Sequence, residues 1–148
     1  MKNSNKKGFT LVELVVVIAI IGVLAAILVP SMMGYVKKSR LKTANGNAKT
    51  AYNAIAEYLA EEETKGTLGD VDNDSCVSAA TSALAANGGD AGVVATNADA
   101  VKTAADTTWY AQWRKNGSDE IKGQYPDAPA TVAASEGMTF GQFGNPNT

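Results

Sequence analysis

The sequence predicts an α+β protein in which one long N-terminal helix carries, on its second half, a small head of short helices and an antiparallel β-sheet. Three patterns predict it. Residues 9–29 form an apolar run of 21 residues interrupted only by Thr10 and Glu13. Beyond it, Leu41, Ala44, Ala48, Ala51, Ile55 and Leu59 recur in steps of three and four, which is one face of a helix. From Thr107 the period drops to two, with Trp109, Ala111 and Trp113 on one face and Tyr110, Gln112 and Arg114 on the other. A chain of 148 residues has room for one small domain beside its apolar segment. The expected organisation is a leader over residues 1–8, an apolar helix over 9–30, its amphipathic continuation over 31–65 and a globular head over 66–148.

The leader holds Lys2, Lys6 and Lys7 and no apolar side chain after Met1. At 1.5 Å per residue the apolar run spans about 31 Å, close to the hydrocarbon thickness of a bilayer. Its one acid is the informative residue. A carboxylate costs about 2.5–3.5 kcal/mol at the centre of a membrane helix and less near an end, so Glu13 calls for a partner. A cleaved secretory signal has a shorter apolar region, a small-x-small cleavage site and no reason to hold a glutamate. A plain single-span anchor fits the length and leaves Glu13 unexplained.

Gly8-Phe9-Thr10-Leu11-Val12-Glu13, followed by the apolar run, resembles the class III signal of type IV pilins and their pseudopilin relatives. Residues 30–58, with Lys37-Lys38-Ser39-Arg40, resemble the same family's helix continuation. The resemblance covers about 50 of the 148 residues, and residues 66–148 add nothing to it. It implies the pilin fold, cleavage by a prepilin peptidase between Gly8 and Phe9 on the cytoplasmic side, and N-methylation of Phe9. Cleavage would create an α-amine on Phe9 that is mostly charged at neutral pH. In the family, the residue matching Glu13 meets the N-terminal amine of a neighbouring subunit, so the resemblance makes Glu13 and Phe9 assembly residues. Such a pair relieves two buried charges at once, and losing either partner strands the other.

The partners implied are further copies of the chain in a helical polymer, the prepilin peptidase, an inner-membrane assembly platform and the cytoplasmic membrane before assembly. The head would lie outside that membrane and later on a cell-surface filament. The implied function is structural, a type IV pilus subunit. Two alternatives stay open: a pseudopilin of a type II secretion or DNA-uptake system, and a membrane-tethered adhesin binding carbohydrate through Trp109, Trp113 and Tyr125. One signal opposes the orientation. The three leader lysines face Lys37, Lys38, Arg40 and Lys42 on the other side of the span, so the positive-inside count does not favour a cytoplasmic leader.

Composition narrows the chemistry. With no histidine and one cysteine, no histidine-based triad and no two-cysteine metal site can be built. No enzyme, cofactor or metal is expected. Without the leader lysines, 10 basic side chains would face 15 acids, a side-chain charge near −5, which argues against nucleic-acid binding through overall charge.

Along the rest of the chain, Pro30 cannot donate to the helical ladder and Gly34 weakens it again, so a kink or loosening is expected there with the helix continuing. Lys65-Gly66 supplies a helix stop. The basic residues 37–42 and the acids Glu61-Glu62-Glu63 are either solvated faces or, in staggered neighbours, partners of one another. Asp70-Val71-Asp72-Asn73-Asp74 departs from a calcium loop at its sixth and twelfth positions, Ser75 and Thr81, and reads as a turn whose aspartates cap the next helix. That helix is expected over residues 75–86, with Val77, Ala80 and Leu84 on one face and Asn87-Gly88-Gly89 ending it. A weaker helix is expected near residues 98–105. Cys76 reads as a small buried apolar residue, with an intersubunit disulfide as the alternative. Asn116-Gly117 signals a two-residue hairpin joining the Trp109 strand to one carrying Ile121, Gly123 and Tyr125. Further strands are expected at residues 131–134 and 138–143. The large aromatics are expected to cover the long helix as core.

Overall fold

The computed structural model describes residues 7–148, so Lys2, Lys6 and most of the expected leader lie outside the described residues. The chain divides into two compact units with the boundary between Val36 and Lys37. Helix α1 (Leu11–Lys65) contributes to both. It continues through Pro30 and Gly34. It ends at Gly66, whose φ of 79° leaves the right-handed region. There Gly66 N–H donates to Glu63 O and Thr67 N–H to Glu62 O, which satisfies carbonyls that the helix end would orphan.

In the second unit, α1 buries Leu41, Ala44, Ala48, Ala51, Ile55 and Leu59, the face that the three-and-four spacing marks out. Three of these six positions are alanine: Ala44, Ala48 and Ala51 let other backbone come close, while Ile55 and Leu59 fill the far end of the core. Three short strands, β1 (Val93–Thr96), β2 (Ala111–Arg114) and β3 (Lys122–Tyr125), form an antiparallel sheet in that order. Ala111, Trp113, Gly123 and Tyr125 share the face toward α1. A Cβ on Gly123 would collide with the backbone of Ala44 and Asn45, so β3 approaches the helix backbone directly. Trp109 stacks on Tyr52 with ring centroids 3.9 Å apart, and Tyr125 meets Tyr52 edge-on at 5.0 Å. Both indoles are buried and find acceptors, Trp109 Nε1–H on Asp106 O and Trp113 Nε1–H on Ala91 O.

Helix α2 (Asn73–Ala86) packs beside β1 and buries Cys76, Ala80 and Leu84. It starts two residues before the expected position because Asp72 is its N-cap, accepting from Ser75 N at 2.8 Å and Ser75 Oγ at 2.6 Å. Those hydrogen bonds, the hydroxyl's first, hold the Asp72 carboxyl below its ordinary value of 3.8. A lowered carboxyl contributes stability above its unfolded pKa and loses it as pH falls through the folded one. Asp72→Asn keeps the cap without the titration. Its melting temperature, followed by circular dichroism, is therefore expected to fall less steeply than wild type as the pH drops below 3.8.

Cys76 is fully buried, and burial pushes its thiol up to about 11. That removes the intersubunit disulfide: the sulfur reaches no surface and stays protonated at neutral pH. Iodoacetamide at pH 8 is expected to leave Cys76 unmodified in the folded chain and to alkylate it fully in denaturant, as read by intact mass.

Several expectations are corrected. The β2–β3 hairpin forms, but Arg114 pairs with Lys122, so residues 115–121 make a seven-residue loop where a two-residue turn at Asn116-Gly117 was expected. Asn116 Oδ1 accepts from Ser118 N inside this loop. Asp119 accepts from Ile121 N and Arg40, and Ile121 is buried. The tight turn would forfeit these. The helix expected near residues 98–105 is reduced to a single 3-10 turn, Ala98–Ala100. Residues 131–134 are no strand: Thr131 accepts from Ala134 N and caps α3 (Val132–Gly137). Residues 138–143 also form no strand, because side chains replace a ladder there, as described below. β1 had no counterpart in the sequence reading.

The basic and acidic stretches on α1 are largely spent within the subunit. Lys37 pairs with Glu136 at 2.7 Å and Arg40 with Asp119 at 2.8 Å, while Lys65 pairs with Glu62 at 2.9 Å and Glu61 at 3.8 Å. The alternative reading, cross-subunit pairing of the two stretches, therefore loses Lys37, Arg40, Glu61 and Glu62. Lys37 and Arg40 tie α1 to α3 and to the β2–β3 loop, which gives these cations beyond the apolar span a structural use.

Candidate processing and assembly site

Of the predicted site residues, Gly8 and Phe9 lie just before α1, Glu13 lies in its first turn, and Pro30 and Gly34 fall within it. Thr10 and Glu13 exchange reciprocal hydrogen bonds. Thr10 N–H donates to Glu13 Oε2 at 2.8 Å, and Glu13 N–H donates to Thr10 Oγ1 at 3.2 Å. This is a capping box, with threonine before the first helical residue and glutamate three places on. Two donors that the helix start would orphan are thereby satisfied, and the negative charge sits at the positive end of the helix dipole. The spacing Thr10-x-x-Glu13 carries this signal in the sequence, where the cost of the acid in an apolar helix points instead to a distant partner.

The cap leaves capacity. An ionised carboxylate has about four acceptor positions. The structure shows Oε2 engaged with Thr10 and gives Oε1 no hydrogen-bond partner among the described residues. Glu13 makes no ion pair among the described residues. Phe9 is 88 % exposed and stands next to the capping pair.

From Phe9 to Val36 every large apolar side chain is exposed, including Met32, Met33 and Tyr35 beyond Pro30. Within this stretch α1 is long and apolar enough to cross a membrane. Exposed apolar surface of this extent on a water-soluble monomer would be untenable, so lipid or other chains must cover it. At Pro30, which has no N–H, the ladder loses one bond, while Ser31 Oγ donates to Leu28 O at 2.9 Å. The aromatic residues weighed as a carbohydrate platform are elsewhere committed: Trp109 and Trp113 lie in the core, and Tyr125 packs on Tyr52. Among the described residues no group of three or more acids or cysteines is arranged to hold a metal ion.

Comparison with known proteins bears on the same segment. A family described as the prokaryotic N-terminal methylation motif matches residues 3–29. The type IV major pilin protein PilA of Myxococcus xanthus is 39% identical over 61 residues, which is 41% of this chain and 28% of that protein. The fimbrial protein EcpC of Eikenella corrodens is 44% identical over 62 residues, 42% of this chain and 40% of that protein. The type IV major alpha-pilin of Moraxella bovis is 44% identical over 59 residues, 40% of this chain and 37% of that protein. The chain thus spans less than half the length of these relatives. No solved structure matches it. The methylation motif, and relatives that share the first two-fifths of the chain, make its N-terminal segment similar to that of type IV pilins and fimbrial proteins.

Proposed function

We propose that this protein is a structural subunit of a type IV pilus, made as a membrane-anchored precursor and polymerised through α1. The observation that carries the proposal is the uncovered apolar surface of α1 from Phe9 to Val36, with one acid, Glu13, in its first turn. Copies of the same helix, packed together, would cover that surface and give Glu13 its partner. In this reading residues 1–8 are the leader, a prepilin peptidase cuts between Gly8 and Phe9, and Phe9 is N-methylated. An inner-membrane assembly platform then extracts the subunit from the cytoplasmic membrane. Residues 9–30 form the polymerisation segment, 31–65 its amphipathic continuation and 66–148 the head. The new Phe9 amine of one subunit meets the free oxygen of Glu13 in a neighbour, while Thr10 keeps the other oxygen. Pro30 and Gly34 loosen the helix where it leaves the apolar segment.

The names of the relatives, pilins and fimbrial proteins, support a pilus, and no observation favours the pseudopilin. The burial of Trp109 and Trp113 removes the aromatic adhesin. Electron microscopy of cells that express or lack the chain tests the proposal. Surface filaments that disappear with the gene and return with it are expected; filaments that persist in its absence would contradict it.

A further inference from the structure

We propose that residues 139–147 form a strap that lifts from the head as a unit of its own, held down by a clasp of two buried glutamines, Gln112 and Gln124. These two residues are directly opposite one another on β2 and β3. They occupy the sheet face turned away from α1, and both are 0 % exposed. Gln112 Nε2 donates to Gln124 Oε1 at 2.9 Å, joining the pair. The remaining amide groups reach the strap's backbone. Gly141 N donates to Gln112 Oε1 at 2.8 Å, Gln112 Nε2 donates to Gln142 O at 2.7 Å, and Gln124 Nε2 donates to Gly144 O at 2.6 Å.

The strap has neither helix nor strand, so its backbone groups need such partners. Asn147 closes the far end, accepting from Ala130 N at 2.8 Å and donating to Ala128 O at 3.0 Å. Two rings add contact: Phe140 lies under the Arg114 guanidinium at 4.2 Å, and Phe143 stacks on Tyr110 at 6.4 Å.

Two features make this a separable unit. No residue of the strap is buried, whereas the core beneath it packs Ala111, Trp113, Ile55 and Leu59 out of water. Segments with few buried apolar contacts open at free energies well below that of global unfolding. The surface left by opening is also polar. Lifting the strap lets water replace its backbone on the glutamine amides, so no unsatisfied group stays buried and little apolar surface is exposed. Because the clasp grips backbone, the side chain of Gln142 is free to vary.

Native-state hydrogen exchange on the full chain in detergent micelles tests this. In the wild type, the Gly141 amide is expected to be protected and to exchange with little dependence on denaturant. The amides of β2 are expected to exchange only through denaturant-dependent opening. The double variant Gln112→Met/Gln124→Met is expected to speed Gly141 exchange more than about 10-fold while changing β2 amides less than about 2-fold, and Gln142→Ala is expected to change neither. An unprotected Gly141 in the wild type, or a Gly141 that follows the same denaturant dependence as β2, would overturn the proposal. The wild-type measurement decides even if the double variant does not fold.

Discussion

Glu13→Gln is expected to reduce filament mass at least about a hundredfold while leaving the head folded, because it removes the charge and keeps an acceptor for the cap. The structure makes this variant more informative than alanine. Glu13 already has a local task, accepting from Thr10 N at 2.8 Å. Alanine would remove that bond together with the charge, and a defect could come from either. Glutamine at the third helical position still caps, so a deficit in Glu13→Gln belongs to the missing charge. If sheared filament from Glu13→Gln cells matches wild type in yield, the cap is the whole role and the cross-subunit ion pair is wrong. The companion Thr10→Ala, which breaks the cap from the other side, is expected to have the smaller effect on assembly.

The second large effect lies in the head. Gly123→Ala is expected to destabilise it by about 3 kcal/mol, at the upper end of overpacking costs, because the new methyl would meet the Ala44 backbone. A flexible side chain could step aside; a helix backbone drawn close by Ala44 and Ala48 cannot do so cheaply. Gly117→Ala, in the β2–β3 loop with open space around it, is the control and should stay within about 0.5 kcal/mol of wild type. Chemical denaturation in detergent, followed by tryptophan fluorescence, measures both, since Trp109 and Trp113 report on this same core.

These two sites were legible in the sequence to different degrees. The buried face of α1 could be read completely, because Leu41 to Leu59 keep strict helical spacing and burial alone selects them. The same holds for Trp109, Ala111 and Trp113, whose alternation matches the sheet face on α1. Gly123 stood on the correct face by alternation, yet only the structure shows that it is the point of closest backbone approach. The elements missed or misassigned are those that side-chain hydrogen bonds decide. Thr131 turns a strand-like run into a capped helix, Asp119 draws Arg40 and Ile121 into a long loop, and Gln112 and Gln124 replace a ladder for residues 141–144. Periodicity reports the spacing of apolar side chains and not these polar contacts, several of which join residues far apart in sequence. β1 is a different case: Val93-Val94-Ala95-Thr96 has strand composition, but four residues are too few to show a period.

At the N-terminal site the motif was readable and its local geometry was not. Glu13 stood out as a costly acid in an apolar helix, which led to a partner in a second subunit. The structure adds Thr10 as the partner within the first. The proposed cross-subunit pair is compatible with this cap, since Oε1 has no hydrogen-bond partner among the described residues, and the two together would explain why a glutamate rather than a neutral cap occupies the position.

The mature N-terminus of the chain, taken from sheared surface material and identified by mass spectrometry, is the most direct test of processing between Gly8 and Phe9. A first residue Phe9 carrying one added methyl on its α-amine, with residues 1–8 absent, is the expected result. A chain that still begins at Met1, or one cut beyond Val29 so that the apolar helix is lost, would contradict it.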